Sequence, residues 1–167
     1  RQHEYKKHFP CPRPVSWCLE MAPKYFDCEN VFYQSSLLSV ENQARVDWLI
    51  DNNEYDLPNA LRPLCHQRDH NYKSIYGRMN WNAPSGTITT GFHSPGRGRF
   101  VHPFEKRVIT PCEASLIQGF PLTYKFFSDE IKPTRNLLAK VIGDAVSPQM
   151  ARVIGQNFGL EVILGTD

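Results

Sequence analysis

Long hydrophobic runs are missing from this sequence. No stretch approaches the roughly 18 consecutive apolar residues of a membrane span, and the first residues, RQHEYKKH, are too polar to begin a signal peptide. We therefore expect no membrane partner. The chain starts at Arg1 rather than at a methionine, which indicates a fragment, a processed product or a start that lies further upstream.

Cysteine pairs at metal-binding or redox spacing are also missing. The five cysteines include no CxxC pair, which favours free thiols in a reducing compartment, the cytoplasm, over a disulfide framework. Cys65, His66 and His70 offer at most one pair of zinc ligands, whereas structural zinc sites use several closely spaced pairs. We predict no metal site, and a zinc-bearing interaction domain is the least favoured interpretation.

Common catalytic and nucleotide-binding motifs are absent too. The sequence contains no GxxxxGK[ST], no GxSxG and no HExxH, which argues against a P-loop nucleotidase, a serine hydrolase of the α/β class and a zinc peptidase. The glycine cluster between Gly91 and Gly98 fits no dinucleotide-binding fingerprint. Instead, these glycines allow the backbone to approach a partner closely.

The composition is that of a globular protein with an uneven charge. The chain has 167 residues, of which 41% are hydrophobic and 22% charged, enough for about one domain with a real core. Residues 1–60 carry six basic and nine acidic side chains, residues 61–110 eight and two, and residues 111–167 five and six. A basic middle between mildly acidic flanks predicts an anionic partner, with nucleic acid the leading candidate.

The first two thirds of the chain combine loops, one helix and short β-type runs. Residues 39–51 predict a helix capped by Ser39, with Val40, Ala44 and Trp48 as its apolar stripe and Leu49 beside it. Between residues 72 and 100, short β-branched and aromatic runs alternate with glycine and proline, a pattern typical of strands joined by loops.

The last third predicts helices. Thr110-Pro111-Cys112-Glu113 has the form of a capping box, which predicts a helix over 111–118 that stops near Gly119. A second helix is expected at about 134–141, ending at Gly143. A third begins with Ser147 as its cap and Pro148 at its first position, and is expected to run to about Phe158.

Two ordered motifs carry a resemblance to a known family. In RVITPCEASLIQGFP and IGDAVSP, with TITTG and the dipeptide HP before them, the chain resembles the C-terminal part of DNA cytosine-5 methyltransferases over roughly residues 60–160. The matching residues are Arg107, Thr110, Glu113, Ala114, Gln118, Gly119, Phe120 and Pro121 in the first motif, and Gly143, Ala145, Val146 and Pro148 in the second.

The resemblance implies that the catalytic machinery lies elsewhere. In the family, a Pro-Cys nucleophile attacks an extruded cytosine, a Glu-Asn-Val glutamate acts as the acid, and a glycine-rich loop holds S-adenosylmethionine. Pro10-Cys11 and Glu29-Asn30-Val31 spell two of these motifs, but they lie too close together and follow no apolar strand. We interpret both, and the PCEA of the helix cap, as coincidence. We therefore assign no catalytic residue and expect the chain alone to be inactive.

The predicted fold class is α+β. Residues 1–105 form a target-recognition region with an irregular β-rich lobe from about 15 to 105 and a basic, DNA-contacting part at about 61–105. Residues 106–167 are the helical part that completes the α/β catalytic domain of the whole enzyme. The predicted DNA-contacting residues are Lys73, Tyr76, Arg78, Thr89, Thr90, Gly91, Arg97 and Arg99.

The second motif implies the edge of a cofactor site. By resemblance, Asp144, Ala145 and Val146 lie against the methionine end of S-adenosylmethionine, which the N-terminal half would bind mainly. Asp144 stands where the family usually has Asn, so its charge should repel the cofactor's carboxylate and attract its ammonium. Arg107 and Glu113 are expected to be structural links.

The expected function is DNA binding and target-base recognition within a DNA cytosine-5 methyltransferase. Its partners would be double-stranded DNA and the N-terminal catalytic half. The expected setting is the cytoplasm of a bacterium or the host of a phage. The alternative is a non-catalytic, stand-alone DNA-binding module derived from that family. Neither the DNA target nor any pairing with a restriction nuclease follows from the sequence.

Overall fold

The computed structural model describes residues 13–23, 30–67, 74–128 and 130–157. None of the helices in these ranges is long and apolar enough to cross a membrane. The described α-helices are α1 Val15–Glu20, α2 Val40–Asp51, α3 Pro111–Gln118, α4 Arg135–Gly143 and α5 Pro148–Asn157. Short 3-10 helices lie at Val31–Tyr33, Asn59–Leu61, Leu64–His66 and Pro95–Arg97.

Helices α3 to α5, here called the closing helices, confirm the predicted starts. The Thr110 side chain accepts a hydrogen bond from the amide of Glu113, and the Glu113 carboxylate accepts one from the amide of Thr110. Thr134 caps α4, and the Ser147 hydroxyl accepts from the amide of Met150 in α5. Helix α3 ends at Gly119, whose φ of 94° is left-handed and suits glycine. The predicted end of the last helix, Phe158, lies outside the described residues.

Helix α2 has the predicted cap but a different buried face. Ser39 accepts a hydrogen bond from the amide of Asn42. The predicted stripe is wrong, because Val40 is 83% exposed and the fully buried side chains are Val46 and Leu49. Apolar residues surround much of this helix, so the face that is buried depends on what packs against it. That partner is a second cluster of Leu57, Ile75, Tyr76 and Val101.

Residues 74–101, here called the basic segment, fold with little regular structure. Within the described residues, the pairing of the predicted strands is limited to isolated bridges, such as Arg78 with Val101. Single backbone hydrogen bonds hold the rest, including Tyr76 N to Pro95 O at 2.7 Å and Met79 N to Val101 O at 2.9 Å. Glycines and prolines interrupt each run before a ladder can extend. The α+β class stays a prediction.

One hydrophobic core joins the basic segment to the closing helices. It includes Met79, Ile88, Phe92 and Phe100 from the basic segment, Ala114 from α3, and Leu138, Ala139 and Ile142 from α4. Val15 and Leu19 of α1 complete it. The two predicted parts, 1–105 and 106–167, therefore share one core, and their division stays a prediction about roles.

Candidate functional site

An ion pair lies at the start of α3. The Arg107 guanidinium donates two parallel hydrogen bonds to the Glu113 carboxylate, from Nη1 to Oε2 at 2.7 Å and from Nη2 to Oε1 at 2.8 Å. The Glu113 side chain is 4% exposed. Burial works against the charge of Arg107, but the hydrogen bonds that it donates to Glu113 and Glu105 outweigh this effect and raise the pKa of Arg107. The geometry is bidentate, the strongest form of this pair.

His102 lies beside the same ion pair. Its Nδ1 accepts from the amides of Phe104, at 3.2 Å, and Glu105, at 3.0 Å. Its Nε2 lies 3.8 Å from the Glu113 carboxylate. Burial and the nearby charge of Arg107 lower the pKa of His102, against the opposing effect of the carboxylates. The ring is therefore neutral at pH 7, as an Nδ1 acceptor must be.

The cysteine of the PCEA sequence is unsuited to nucleophilic chemistry. Cys112 is fully buried in a cluster with Cys18 and Leu116. Burial, with a smaller contribution from the Glu113 charge, raises the pKa of Cys112 to about 12. A reactive cysteine needs a thiolate, so Cys112 is a packing residue. Pro10, Cys11 and Glu29 of the other two motif-like sequences lie outside the described residues.

Two of the predicted DNA-contacting arginines are held by other residues of the chain. Arg78 is 5% exposed, donates to Asn53 Oδ1 at 2.8 Å and stacks over the ring of Tyr55. Arg99 pairs with Asp56 at 2.5 Å and donates to the carbonyls of Tyr55 and Arg78. These contacts fix the basic segment to the loop after α2.

The remaining predicted DNA-contacting residues differ in exposure. Arg97 and Thr90 are exposed, and Thr89 is half-buried. Tyr76 is buried and has a φ of 57°. A Cβ at Gly91 would lie 2.7 Å from Arg97 Cδ, so the glycine makes room for that arginine. Lys73 lies outside the described residues.

The charges of two arginines, Arg97 of the basic segment and Arg135 of α4, act on His93, and Arg135 is not among the predicted DNA-contacting residues. Burial and the charges of Arg97 and Arg135 lower the pKa of His93. Arg135 is the first residue of α4, where the helix dipole is positive. Among the described residues, the buried atoms Arg135 Nε and His93 Nδ1 have no hydrogen-bond partner. Only the fold brings Arg135 beside residues some 40 positions earlier, so no sequence signal could have identified it.

The turn 143–146 lies at the surface between α4 and α5. Asp144 and Val146 are exposed, and Ala145 is half-buried. The Asp144 amide donates to Lys140 O at 2.9 Å, while the amides of Ala145 and Val146 donate to no other described residue. A Cβ at Gly143 would lie 2.3 Å from Thr90 N and 2.5 Å from Thr89 C. The turn thus rests directly on the backbone of the basic segment.

A cleft with a volume of 710 Å³ opens beside the turn. Its walls are mostly apolar and come from α1, from residues 84–88, from the end of α3 and from the start of α5. Trp17, Met21 and Met150 line it and are each at least 39% exposed. Where the chain is described, no group of three or more His, Cys, Asp and Glu side chains could hold a metal ion. His70 of the zinc interpretation lies outside the described residues.

Comparisons with known proteins agree on one family. The profile of the C-5 cytosine-specific DNA methylases matches residues 20–159. The chain is 42% identical over 143 residues to the Type II methyltransferase M1.BsuMI of Bacillus subtilis (strain 168), covering 85% of this chain and 32% of that protein. It is 38% identical over 104 residues to the Type II methylase M.HgiDII of Herpetosiphon aurantiacus, covering 61% and 29%.

A more distant match comes from an animal. The DNA (cytosine-5)-methyltransferase PliMCI of Paracentrotus lividus is 37% identical over 96 residues, covering 57% of this chain and 6% of that protein. The chain thus spans about a third or less of the length of these curated relatives.

Proposed function

The chain belongs to the C-5 cytosine-specific DNA methylase family, and we propose that it is the target-recognition and closing part of a DNA cytosine-5 methyltransferase. The observation that carries the proposal is the extent of the match. The family profile covers nearly all described residues, yet the chain spans only 32% of a relative with which it is 42% identical. The remaining two thirds would supply the catalytic half.

Two of the three described cysteines support this division of labour. Cys18 and Cys112 are both buried, and burial raises the pKa of each thiol. Neither can serve as a ready thiolate toward an extruded cytosine. Cys65 is exposed, but it follows Leu64 rather than a proline and so is not part of a Pro-Cys sequence. We assign the nucleophile and the acid to the upstream half. The chain's own task is to bind the DNA near the target base.

The DNA-contacting surface is proposed to run from Thr90 over Arg97 to Arg135. These residues are exposed or half-buried, and the start of α4 adds the positive end of a helix dipole. The guanidinium of the exposed Arg97 would bind phosphate oxygens. Arg78 and Arg99, which are held by Asn53 and Asp56, would shape the segment from behind. A DNA-associated location in the cytoplasm goes with this substrate.

The turn 143–146 fits one edge of a cofactor site. Its unbonded amides at Ala145 and Val146 can receive a carboxylate, and the exposed Asp144 can receive an ammonium group. S-adenosylmethionine has both groups, and when bound it supplies the methyl group. The small side chain of Ala145 leaves room for a ligand edge. The turn alone encloses nothing, so the upstream half would hold most of the cofactor.

The cleft beside the turn is proposed as the seat of that upstream half. Val146, Met150 and Ile154 are 46–59% exposed along α5 and its entry. With Trp17 and Met21, they form an uncovered apolar surface. We match this surface to one occupant, the upstream part of the enzyme, which would make up about two thirds of a protein as long as the relative from Bacillus subtilis. Covering it would complete the catalytic domain.

The test uses labelled S-adenosylmethionine and mixed double-stranded DNA. The chain alone should bind DNA with strong salt dependence and should transfer no methyl group. The same chain joined to its upstream half should methylate cytosine at C5. DNA binding by the chain can be followed by fluorescence anisotropy.

Two outcomes would contradict the proposal. Methyl transfer by the chain alone, abolished by Cys11→Ala, would make the Pro10-Cys11 sequence a real nucleophile. DNA binding without any upstream reading frame that encodes Pro-Cys and Glu-Asn-Val would favour the stand-alone binding module instead.

A further inference from the structure

Gln118 connects the end of α3 to both sides of the turn 143–146. Its side-chain Nε2 donates to the carbonyl of Ile142 at 2.9 Å and to the carbonyl of Ala145 at 3.3 Å. The Ile142 carbonyl lies in the last turn of α4 and has no partner within that helix. One carboxamide thus spans the turn from the residue before Gly143 to the residue after Asp144.

This contact needs the chemistry of glutamine. A carboxamide nitrogen has two hydrogens and can donate to two carbonyls at once. A carboxylate of the same shape has only acceptors and would face two carbonyl oxygens. The donor also comes from a fixed position, because the left-handed Gly119 ends α3 directly after Gln118.

The opposite side of the turn is fixed as well. Gly143 lies so close to the backbone of Thr89 and Thr90 that a Cβ there would come within 2.6 Å of three backbone atoms. The turn is therefore held between the basic segment on one side and Gln118 on the other. Its conformation depends on these two contacts, since Asp144, Ala145 and Val146 themselves make few others.

We propose that Gln118 is a positioning residue that holds the turn 143–146 in the shape it presents to S-adenosylmethionine. The inference rests on the proposed function of that turn. Loss of the two hydrogen bonds leaves the cofactor-facing amides free to move, so the cost falls on cofactor affinity. Gln118 itself need not touch the cofactor.

The experiment compares variants of the complete methyltransferase. Calorimetry measures the binding of S-adenosylhomocysteine to the wild type, to Gln118→Glu and to Gln118→Asn. Gln118→Glu should weaken binding about tenfold, and its KM for S-adenosylmethionine should rise more than its kcat falls. Gln118→Asn keeps the donor but is one methylene shorter, so we expect a smaller loss. DNA affinity should stay at the wild-type value for both.

A matched control carries the same change of charge. Gln156 is exposed on α5, and Gln156→Glu should leave the affinity for S-adenosylhomocysteine unchanged. Amide hydrogen exchange over residues 143–147 should quicken in Gln118→Glu and not in Gln156→Glu, which gives a readout independent of catalysis.

The outcomes separate this inference from the proposed function. A wild-type enzyme that does not bind S-adenosylhomocysteine would overturn the proposed function, and the inference with it. Wild-type binding matched by both Gln118 variants would overturn the inference alone. A parallel loss of DNA affinity, cofactor affinity and melting temperature in Gln118→Asn would also overturn it, because the residue would then be a general structural support.

Discussion

The closing helices and the basic segment are held by contacts of very different range. Each closing helix begins with a side chain that bonds an amide three residues ahead: Thr110 with Glu113, Thr134 with Leu137, and Ser147 with Met150. Two arginines of the basic segment bond residues far away in the chain: 25 positions separate Arg78 from Asn53, and 43 separate Arg99 from Asp56. The helices are thus specified locally, and the shape of the basic segment depends on the whole fold.

The largest expected effect comes from Glu113, which is both part of the cap of α3 and the buried partner of Arg107. Glu113→Ala removes the local cap and leaves the Arg107 guanidinium, whose side chain is 20% exposed, without its buried partner. Breaking a buried pair in this way costs about 3 kcal/mol, or roughly 6–12 °C in melting temperature for a chain of this size. Thermal unfolding followed by circular dichroism measures it.

Glu105→Ala is the control for this change. Glu105 also bonds Arg107, but its side chain is 58% exposed, so its loss should cost under about 1 kcal/mol. The DNA sequence bound by Glu113→Ala should be that of the wild type. A change of target preference with unaltered stability would contradict the structural role of this pair.

Gly143→Ala tests the contact between the two regions themselves. The added methyl group would meet backbone atoms of Thr89 and Thr90, which cannot rotate away. Overpacking of this kind costs about 2 kcal/mol, and urea unfolding should show it as a lower midpoint. Gly86→Ala is the matched control, because nothing lies within 4 Å of a Cβ there. Equal stability of the two variants would mean that the turn and the basic segment are not in close contact.

The same contrast explains what the sequence could predict. The starts of α3, α4 and α5 were predicted to within a residue, because capping side chains and a first-position proline act over one helical turn. The buried face of α2 was predicted only at Leu49, since Val46 is buried in a cluster that includes Ile75 and Val101 from distant parts of the chain.

The candidate site likewise contains features that the sequence could predict and features that it could not. The turn 143–146 could be identified from its motif, and the bidentate contact between Arg107 and Glu113 has both residues where the motif placed them. The inward orientation of Arg78 could not be predicted, because its partners Asn53 and Tyr55 are brought to it only by folding. A basic residue in a basic stretch predicts a positive charge at that place in the chain. It does not predict whether the side chain points toward solvent or into the protein.

Arg97 and Arg99 differ in whether they already have partners in the chain, and DNA binding can test this difference. Arg97 is exposed, and none of the ion pairs between described residues involves it. Arg97→Ala should therefore lower the slope of log affinity against log salt by about one unit. Arg99→Ala should change this slope less and reduce stability more, because Arg99 already serves Asp56 and two carbonyls.

Fluorescence anisotropy at several salt concentrations distinguishes the two arginines. If Arg97 reads guanine rather than phosphate, its loss should instead cost about 1–3 kcal/mol at one position of the site. Unchanged DNA binding in both variants would remove the basic segment from the interface.

The smallest expected effect is a pH dependence of stability at His102. Burial and Arg107 lower its pKa in the folded state, so below about pH 6.5 the unfolded chain binds a proton more readily than the folded chain. Stability should thus fall as the pH drops through that value, by at most about 1.4 kcal/mol per pH unit for this group. His93, whose pKa is also lowered, adds to the fall in the same direction.

His102→Asn keeps an oxygen that can accept from the amides of Phe104 and Glu105 but does not titrate. Between pH 7.5 and 5.5 this variant should therefore lose less stability than the wild type, by on the order of 1 kcal/mol. The nearby carboxylate of Glu105 has a lowered pKa and titrates below this window. Urea unfolding at both pH values measures the difference, with equal stability at pH 8 as the check that the asparagine fits. Identical losses in the two proteins would show that His102 gains its proton as easily in the folded chain as in the unfolded one.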